Sequence, residues 1–133
     1  MGIEVVPEAV ASAKINRSLS LDEAQASECE FICKDVLKTD FESLIKSGKM
    51  PRPDCIIVDP PRKGLDIGVV KKVMELGAPK ICYISCDPAT LARDLKMLTG
   101  NYGIQEITPA DLFPNASHIE CVTILQRMGS ARP

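Results

Sequence analysis

The stretch Cys55-Ile56-Ile57-Val58-Asp59-Pro60-Pro61, and beyond it Ile81-Cys82-Tyr83-Ile84-Ser85-Cys86-Asp87-Pro88, decides the fold. An apolar run closed by Asp-Pro-Pro reads as a buried strand, because no helix continues through two prolines. Between the two stretches, Ile67 to Leu76 reads as a helix with Gly77 as its stop. Ile81 to Ser85 reads as a second buried strand, and Asp87 to Leu98 as a helix ending at Gly100, with Asp87 as cap and Pro88 in the first turn. Toward the N-terminus, Ile3 to Val6 reads as a strand and Pro7 to about Ser18 as a helix with Ala9, Val10, Ala13 and Ile15 roughly on one face. Cys29 to Val36 then reads as a strand, Phe41 to Ser47 as a helix and Gly48 to Pro53 as a turn. Toward the C-terminus, Ile104 to Thr108 and Cys121 to Gln126 read as strands with no helix between them. The alternation predicts an α/β fold: a mostly parallel sheet covered by helices on both faces and finished by an antiparallel strand pair.

Composition bounds the rest. The 133 residues are 45% hydrophobic and 26% charged with a formal net charge of −2, which suits one soluble domain over residues 1–133 and excludes disorder. No stretch approaches the roughly 18 apolar residues of a membrane helix. Met1-Gly2 leads straight into an apolar run without a basic stretch or cleavage site, so the expected location is the cytoplasm. Lys and Arg number 16 against 18 Asp and Glu, short of the basic excess of a free-standing nucleic-acid binder. The six cysteines, with Cys33, Cys55, Cys82 and Cys121 inside apolar runs, read as reduced and mostly buried. Cys29 and Cys33, like Cys82 and Cys86, are spaced C-x3-C, but on a strand that separation is about 13 Å, too far to share an ion. No metal site is expected.

In open parallel sheets ligands sit beyond the carboxyl ends of the strands. Four acidic or thiol residues fall there: Glu4, Asp35, Asp59 and Cys86. Cys86 stands where a strand meets the positive end of a helix, which favours the thiolate; the plain alternative is an inert thiol finishing a buried strand. Asp59-Pro60-Pro61-Arg62 resembles the D-P-P-aromatic loop of enzymes that methylate exocyclic amines. Arg62 replaces the stacking ring, which argues against amine chemistry and leaves Arg62 and Lys63 for phosphate or carboxylate contact. Glu4 has the placement of a carboxylate that binds ribose hydroxyls, whereas Asp35 reads equally as a solvated loop residue. The polar loop Asp111 to Cys121 brings the single His, His118, close to Glu120 at the entry to an apolar strand.

Taken together, Asp59-Pro60-Pro61-Arg62-Lys63-Gly64, Ser85-Cys86-Asp87-Pro88-Ala89-Thr90-Leu91-Ala92-Arg93-Asp94-Leu95 and Asp111-Leu112-Phe113-Pro114 through His118-Ile119-Glu120-Cys121 resemble the S-adenosylmethionine-dependent RNA uracil-5 methyltransferases. The likeness runs from Ile3 to Arg127 and covers the later part of the family's catalytic domain. It implies a Rossmann-like methyltransferase sheet, S-adenosyl-L-methionine as cofactor, and formation of 5-methyluridine in ribosomal or transfer RNA. By the same resemblance Cys86 is the nucleophile that adds to carbon 6 of uracil, Glu120 the base that removes the carbon-5 proton, and Glu4, Asp35 and Asp59 are cofactor contacts.

Two departures carry consequences. Asp87 stands where the family usually has Asn, and its charge opposes thiolate formation at Cys86. The family's first strand with its glycine-rich loop and its RNA-binding domains correspond to nothing in the chain, so the resemblance implies an N-terminal partner segment of the same enzyme. Without the first strand, either two strand edges are exposed, inviting self-association, or Ile3–Val6 and Cys55–Val58 pair directly. The isolated chain is accordingly expected to be a poor methyltransferase. The alternatives are a non-catalytic remnant that binds RNA or a partner chain, and a small thiol-redox protein using Cys86 with Cys82.

Overall fold

A computed structural model describes residues 1–112, Asn115 and residues 119–129. The chain divides into two compact units, Met1–Pro51 and Arg52–Pro133.

In the first unit, β1 (Gly2–Glu4) and β2 (Phe31–Cys33) form a parallel pair, with Ile3 opposite Ile32 and Glu4 opposite Cys33. A Cβ on Gly2 would lie 2.6 Å from the Phe31 ring, so any larger residue there would have to displace that ring. The crossover consists of α1 (Pro7–Ser20) and α2 (Glu23–Glu28), the latter capped by Asp22, which accepts from the Gln25 amide at 2.8 Å. Of the residues expected on one face of α1, Val10 is buried, whereas Ala9 and Ile15 are exposed. At about 100° per residue, Ile15 lies well round the helix from Val10. The strand expected over Cys29–Val36 shrinks to three residues because Cys29 closes α2 and Asp35 opens a 3₁₀ turn, Val36–Lys38. α3 (Phe41–Lys46) follows, capped by Asp40.

The second unit is a four-stranded sheet in the order β3-β4-β6-β5, built from β3 (Cys55–Val58), β4 (Lys80–Ser85), β5 (Tyr102–Ala110) and β6 (Glu120–Arg127). β3 and β4 are parallel; β6 runs antiparallel to both β4 and β5. α4 (Ile67–Leu76) is capped by Asp66 and ended by Gly77, which takes the left-handed φ of 60° that favours glycine. α5 (Pro88–Leu98) follows β4. Alternate strand residues Ile81, Tyr83, Cys121 and Leu125 bury one face of the sheet in a core with Val70, Val73, Leu91, Leu95, Leu98 and Tyr102.

Helices on both faces were expected, but in this unit the face opposite the core is part open, with Ile84, Val122 and Ile124 only partly buried. β3 alternates too: Cys55 and Ile57 are exposed, Ile57 to 68%. Its apolar sequence therefore does not signal complete burial, because Cys55 and Ile57 share the face of Lys80 and Cys82, while Ile56 and Val58 pack against the core. β1 belongs to the two-stranded sheet and β3 to the four-stranded one, each with one hydrogen-bonded neighbour among the described residues, so the direct pairing of the two that the sequence left open is not the arrangement formed. The cysteines also differ from expectation. All six are free thiols, but Cys33 and Cys55 are exposed, Cys82 is partly buried, and Cys121 alone of those four is buried.

Candidate active site

Cys86 stands at the apex of the turn between β4 and α5. Around it the Ser85 hydroxyl donates to the Asp87 carbonyl at 3.0 Å and accepts from the Asp87 amide at 3.1 Å, closing the turn. The Asp87 carboxylate then accepts from the amides of Ala89 (2.9 Å) and Thr90 (3.0 Å), so the first free N–H groups of α5 are satisfied. The Thr90 amide above all, with that of Ala89 and the positive charge of Arg62, holds the Asp87 carboxyl below the usual carboxylate range. Cys86 itself is partly exposed, which fits a reacting thiol better than a packed one.

The strand ladders bring two more of the expected residues to this end of the sheet. Val58 is in register with Tyr83, so Asp59 leaves β3 next to the last residues of β4; its side chain is exposed. Ser85 pairs with Cys121, which sets Glu120, partly buried, beside the position of Cys86. Asp59, Cys86 and Glu120 thus share one end of one sheet, the carboxyl end of its parallel strands.

Glu4 and Asp35 belong to the first unit, where the Lys34 amide donates to the Glu4 carbonyl at 2.9 Å and so places both at the carboxyl end of the β1–β2 pair. Glu4 Oε1 accepts from the amides of Val5 (2.6 Å) and Val6 (2.8 Å), serving the entry to α1, where Val6 offers no side-chain cap. Asp35 caps the 3₁₀ turn through the Leu37 amide at 2.9 Å. His118 lies outside the described residues. Among the described residues no group of three His, Cys, Asp or Glu side chains is arranged to hold a metal ion, and no helix is long and apolar enough to cross a membrane.

A hub that sequence reasoning missed fixes the Asp-Pro-Pro corner. Asp94 is fully buried, and its Oδ2 accepts from the Leu65 amide at 2.6 Å and the Tyr83 hydroxyl at 2.7 Å, while Oδ1 pairs with Arg93. Arg93 also donates to the Lys63 carbonyl at 2.8 Å, and the Thr90 hydroxyl to the Arg62 carbonyl at 3.0 Å. The chain passes so close to this helix that a Cβ on Gly64, whose φ is +75°, would lie 2.5 Å from Asp94 Oδ2. α5, which starts right after Cys86, therefore also holds the loop that follows Asp59. The signal was in the sequence: Leu91, Asp94, Leu95 and Leu98 form one buried stripe, and a carboxylate in such a stripe must have partners.

Residues 36–128 match the tRNA (uracil-5-)-methyltransferase family. An uncharacterized RNA methyltransferase of Enterococcus faecalis is 43% identical over 127 residues, and one of Listeria innocua 38% identical over 128. Each match covers 95% of this chain and 26% of the relative, so the chain spans about a quarter of the length of these curated relatives. Among solved structures, the Pyrococcus abyssi tRNA (uracil-54, C5)-methyltransferase in complex with S-adenosyl-L-homocysteine is 32% identical with a TM-score of 0.73, over 93% of this chain and 28% of its own. The N-methyltransferase NodS of Bradyrhizobium japonicum, 15% identical, shares the fold at a TM-score of 0.66 over 95% of this chain and 65% of its own.

Proposed function

We propose that this chain, which belongs to the tRNA (uracil-5-)-methyltransferase family, carries the nucleophile and the base for methyl transfer to carbon 5 of a uridine in ribosomal or transfer RNA. Its α/β architecture is that of a partial Rossmann-like methyltransferase domain. The observation that supports the reading most is the turn closed by Ser85 and Asp87, which presents the Cys86 thiol beside Glu120 at the ligand-binding end of the sheet.

In this reading Cys86 Sγ, as thiolate, bonds to carbon 6 of the uracil, and the ring electrons shift to make carbon 5 an enolate carbon. Carbon 5 then takes the methyl group. Glu120 removes the carbon-5 proton, the double bond reforms, and the Sγ–C6 bond breaks to return the thiolate. Bound S-adenosyl-L-methionine supplies an electrophilic methyl group on a sulfonium. The residues fit that group chemically: Glu4 offers a second carboxylate oxygen beyond the one used at the helix entry, and Asp59 is exposed at a strand end, both able to accept from hydroxyl or amino groups. Glu4, Asp35 and Asp59 would hold the cofactor, and Arg62 and Lys63 would contact RNA phosphates.

The rest of the enzyme, corresponding to the unmatched length of the relatives, supplies the RNA-binding surface and covers the β3 edge; without it that edge invites self-association. Turnover by the 133-residue chain alone is accordingly weak. A cytoplasmic location is consistent with an RNA substrate. A redox role fits less well, since burial above all, with Cys55 nearby, pushes the Cys82 thiol up and keeps this would-be resolving group protonated.

Mass spectrometry with RNA carrying 5-fluorouridine tests the reading, using the chain joined to the N-terminal part of the enzyme. Fluorine at carbon 5 cannot leave as a cation, so a covalent adduct should accumulate on Cys86 and vanish in Cys86→Ala. An adduct that persists in Cys86→Ala, or none with a competent cofactor and RNA, refutes it.

A further inference from the structure

An open cavity of about 360 Å³ lies beside the Asp-Pro-Pro corner, and the reaction proposed above makes no use of it. Lys63, Leu65, Asp66 and Ile67 line it from the corner and the start of α4; Arg93 and Met97, one turn apart, line it from α5. Its volume falls among those of clefts that take small ligands, roughly 300–1,000 Å³. Part of the wall is apolar, and Ile67 in the first turn of α4 is 63% exposed.

Arg93 is held in place but not used up. Its Nε donates to Asp94 Oδ1 at 2.9 Å, and its Nη2 donates to the Lys63 carbonyl at 2.8 Å and pairs with Asp94 Oδ1 at 2.7 Å. Nη1 has no partner among the described residues, and the side chain is 53% exposed. A buried carboxylate thus orients the guanidinium while one nitrogen, with two N–H groups, stays available to a ligand. The surroundings favour an anion. From Arg62 to Met97 the chain carries seven Lys and Arg against four Asp and Glu, in a protein whose net charge is −2. Lys63 is exposed and pairs with no described carboxylate. Of the two carboxylates at the cavity, Asp94 is fully buried against Arg93, and Asp66 Oδ1 is occupied by the Gly68 amide at 2.7 Å. Two cations beside exposed apolar atoms suit a nucleotide: its phosphate takes the cations, and its ribose and base cover the apolar wall.

We propose that this cavity is an RNA subsite for a nucleotide next to the target uridine: Arg93 Nη1 and the Lys63 ammonium hold its phosphate, and Ile67 with Met97 carries its ribose and base. The backbone of the rim, from Arg62 to Leu65, is tied to α5, the helix that starts right after Cys86, so the subsite adjoins the candidate active site. That the ligand is RNA rests on the reading above, but the subsite is tested without turnover.

The experiment measures the fluorescence anisotropy of fluorescein-labelled hexauridylate with the 133-residue chain at a series of salt concentrations. Lys63→Gln should weaken binding about three- to tenfold and lower the slope of log affinity against log salt by about 0.7, as for the loss of one single-strand phosphate contact. Arg93→Gln should do the same, with circular dichroism showing whether it folds. Ile67→Ser should weaken binding about threefold and leave the salt slope unchanged. Lys80→Gln removes an exposed cation at the other end of β4 and should change neither. Lys63→Gln and Ile67→Ser alter only exposed side chains, so they decide the matter if Arg93→Gln does not fold. Four results overturn the proposal: affinity and slope unmoved by Lys63→Gln and Ile67→Ser, an equal loss in Lys80→Gln, no binding by the parent chain at low salt, or a hexaglutamate peptide that competes as well as unlabelled hexauridylate. If the variants behave as expected while Cys86 forms no fluorouridine adduct, the subsite stands and the methyltransferase reading falls. An adduct on Cys86 with RNA affinity unmoved by these variants gives the reverse.

Discussion

Removing the Asp94 carboxylate should cost the second unit a large part of its stability. The side chain is 0% exposed and accepts from the Leu65 amide and the Tyr83 hydroxyl, both in buried hydrogen bonds. In Asp94→Ala each donor loses its acceptor, at about 1–3 kcal/mol apiece. The Arg93 partner is different. Its side chain is 53% exposed, so its guanidinium rehydrates and adds little. The sum is about 2–6 kcal/mol, against roughly 5–15 kcal/mol for a typical domain.

Two variants separate the parts of that sum. Tyr83→Phe removes one donor and leaves Asp94 bonded to Leu65 and Arg93, so it should cost about 1 kcal/mol. Asp94→Asn keeps the shape but aims an amide at Arg93, and should fall between the two. The assay is urea unfolding followed by far-ultraviolet circular dichroism, since the chain has no Trp. A loss below about 1 kcal/mol for Asp94→Ala would refute the claim that this carboxylate holds the corner, as would a Tyr83→Phe loss equal to it.

The same hub predicts how stability depends on pH. Burial first, then the hydrogen bond to Asp94, push the Tyr83 phenol far above its usual range, and burial raises Tyr102 too. The unfolded chain titrates its tyrosines near pH 10 while the folded chain keeps their protons, so stability should hold up to about pH 9 and fall above about 10, with a shallower fall in Tyr102→Phe. Thr123 is fully buried, and its hydroxyl has no hydrogen-bond partner among the described residues. Thr123→Val should therefore leave the denaturation midpoint unchanged or raise it; a loss above about 1 kcal/mol would mean that the hydroxyl has a partner after all.

What the sequence revealed, and what it hid, follows the range of the interactions involved. The segment from Cys55 to Leu98 was legible because each element carries its own signals: Asp66 and Asp87 start helices, Gly77 stops one, and apolar runs separate them. α2 was not, because Glu23-Ala24-Gln25-Ala26-Ser27-Glu28 has no apolar stripe and is held by the Asp22 cap. Cys55 and Ile57 show the limit of reading apolarity as burial, since nothing within a strand records whether both of its faces will be covered. At the site, Asp59, Cys86 and Glu120 could be grouped by the rule that ligands gather at strand ends. The buried stripe of α5 signals that Asp94 has partners but not which ones, since the hub joins residues 29 apart and depends on the path of the Lys63–Leu65 backbone.

Arg62, Lys63 and Leu65 are fastened to α5 through main-chain carbonyl and amide groups. Every amino acid carries the carbonyl used at Arg62 and Lys63, so those two ties do not depend on which side chains project there. Position 63 can therefore be rewritten without dismantling the mount, while changes at Thr90, Arg93, Asp94 or Gly64 loosen the mount itself. Outward chemistry and scaffolding are thus encoded on separate letters of one short segment, so the exposed side chain can change while the backbone course is kept.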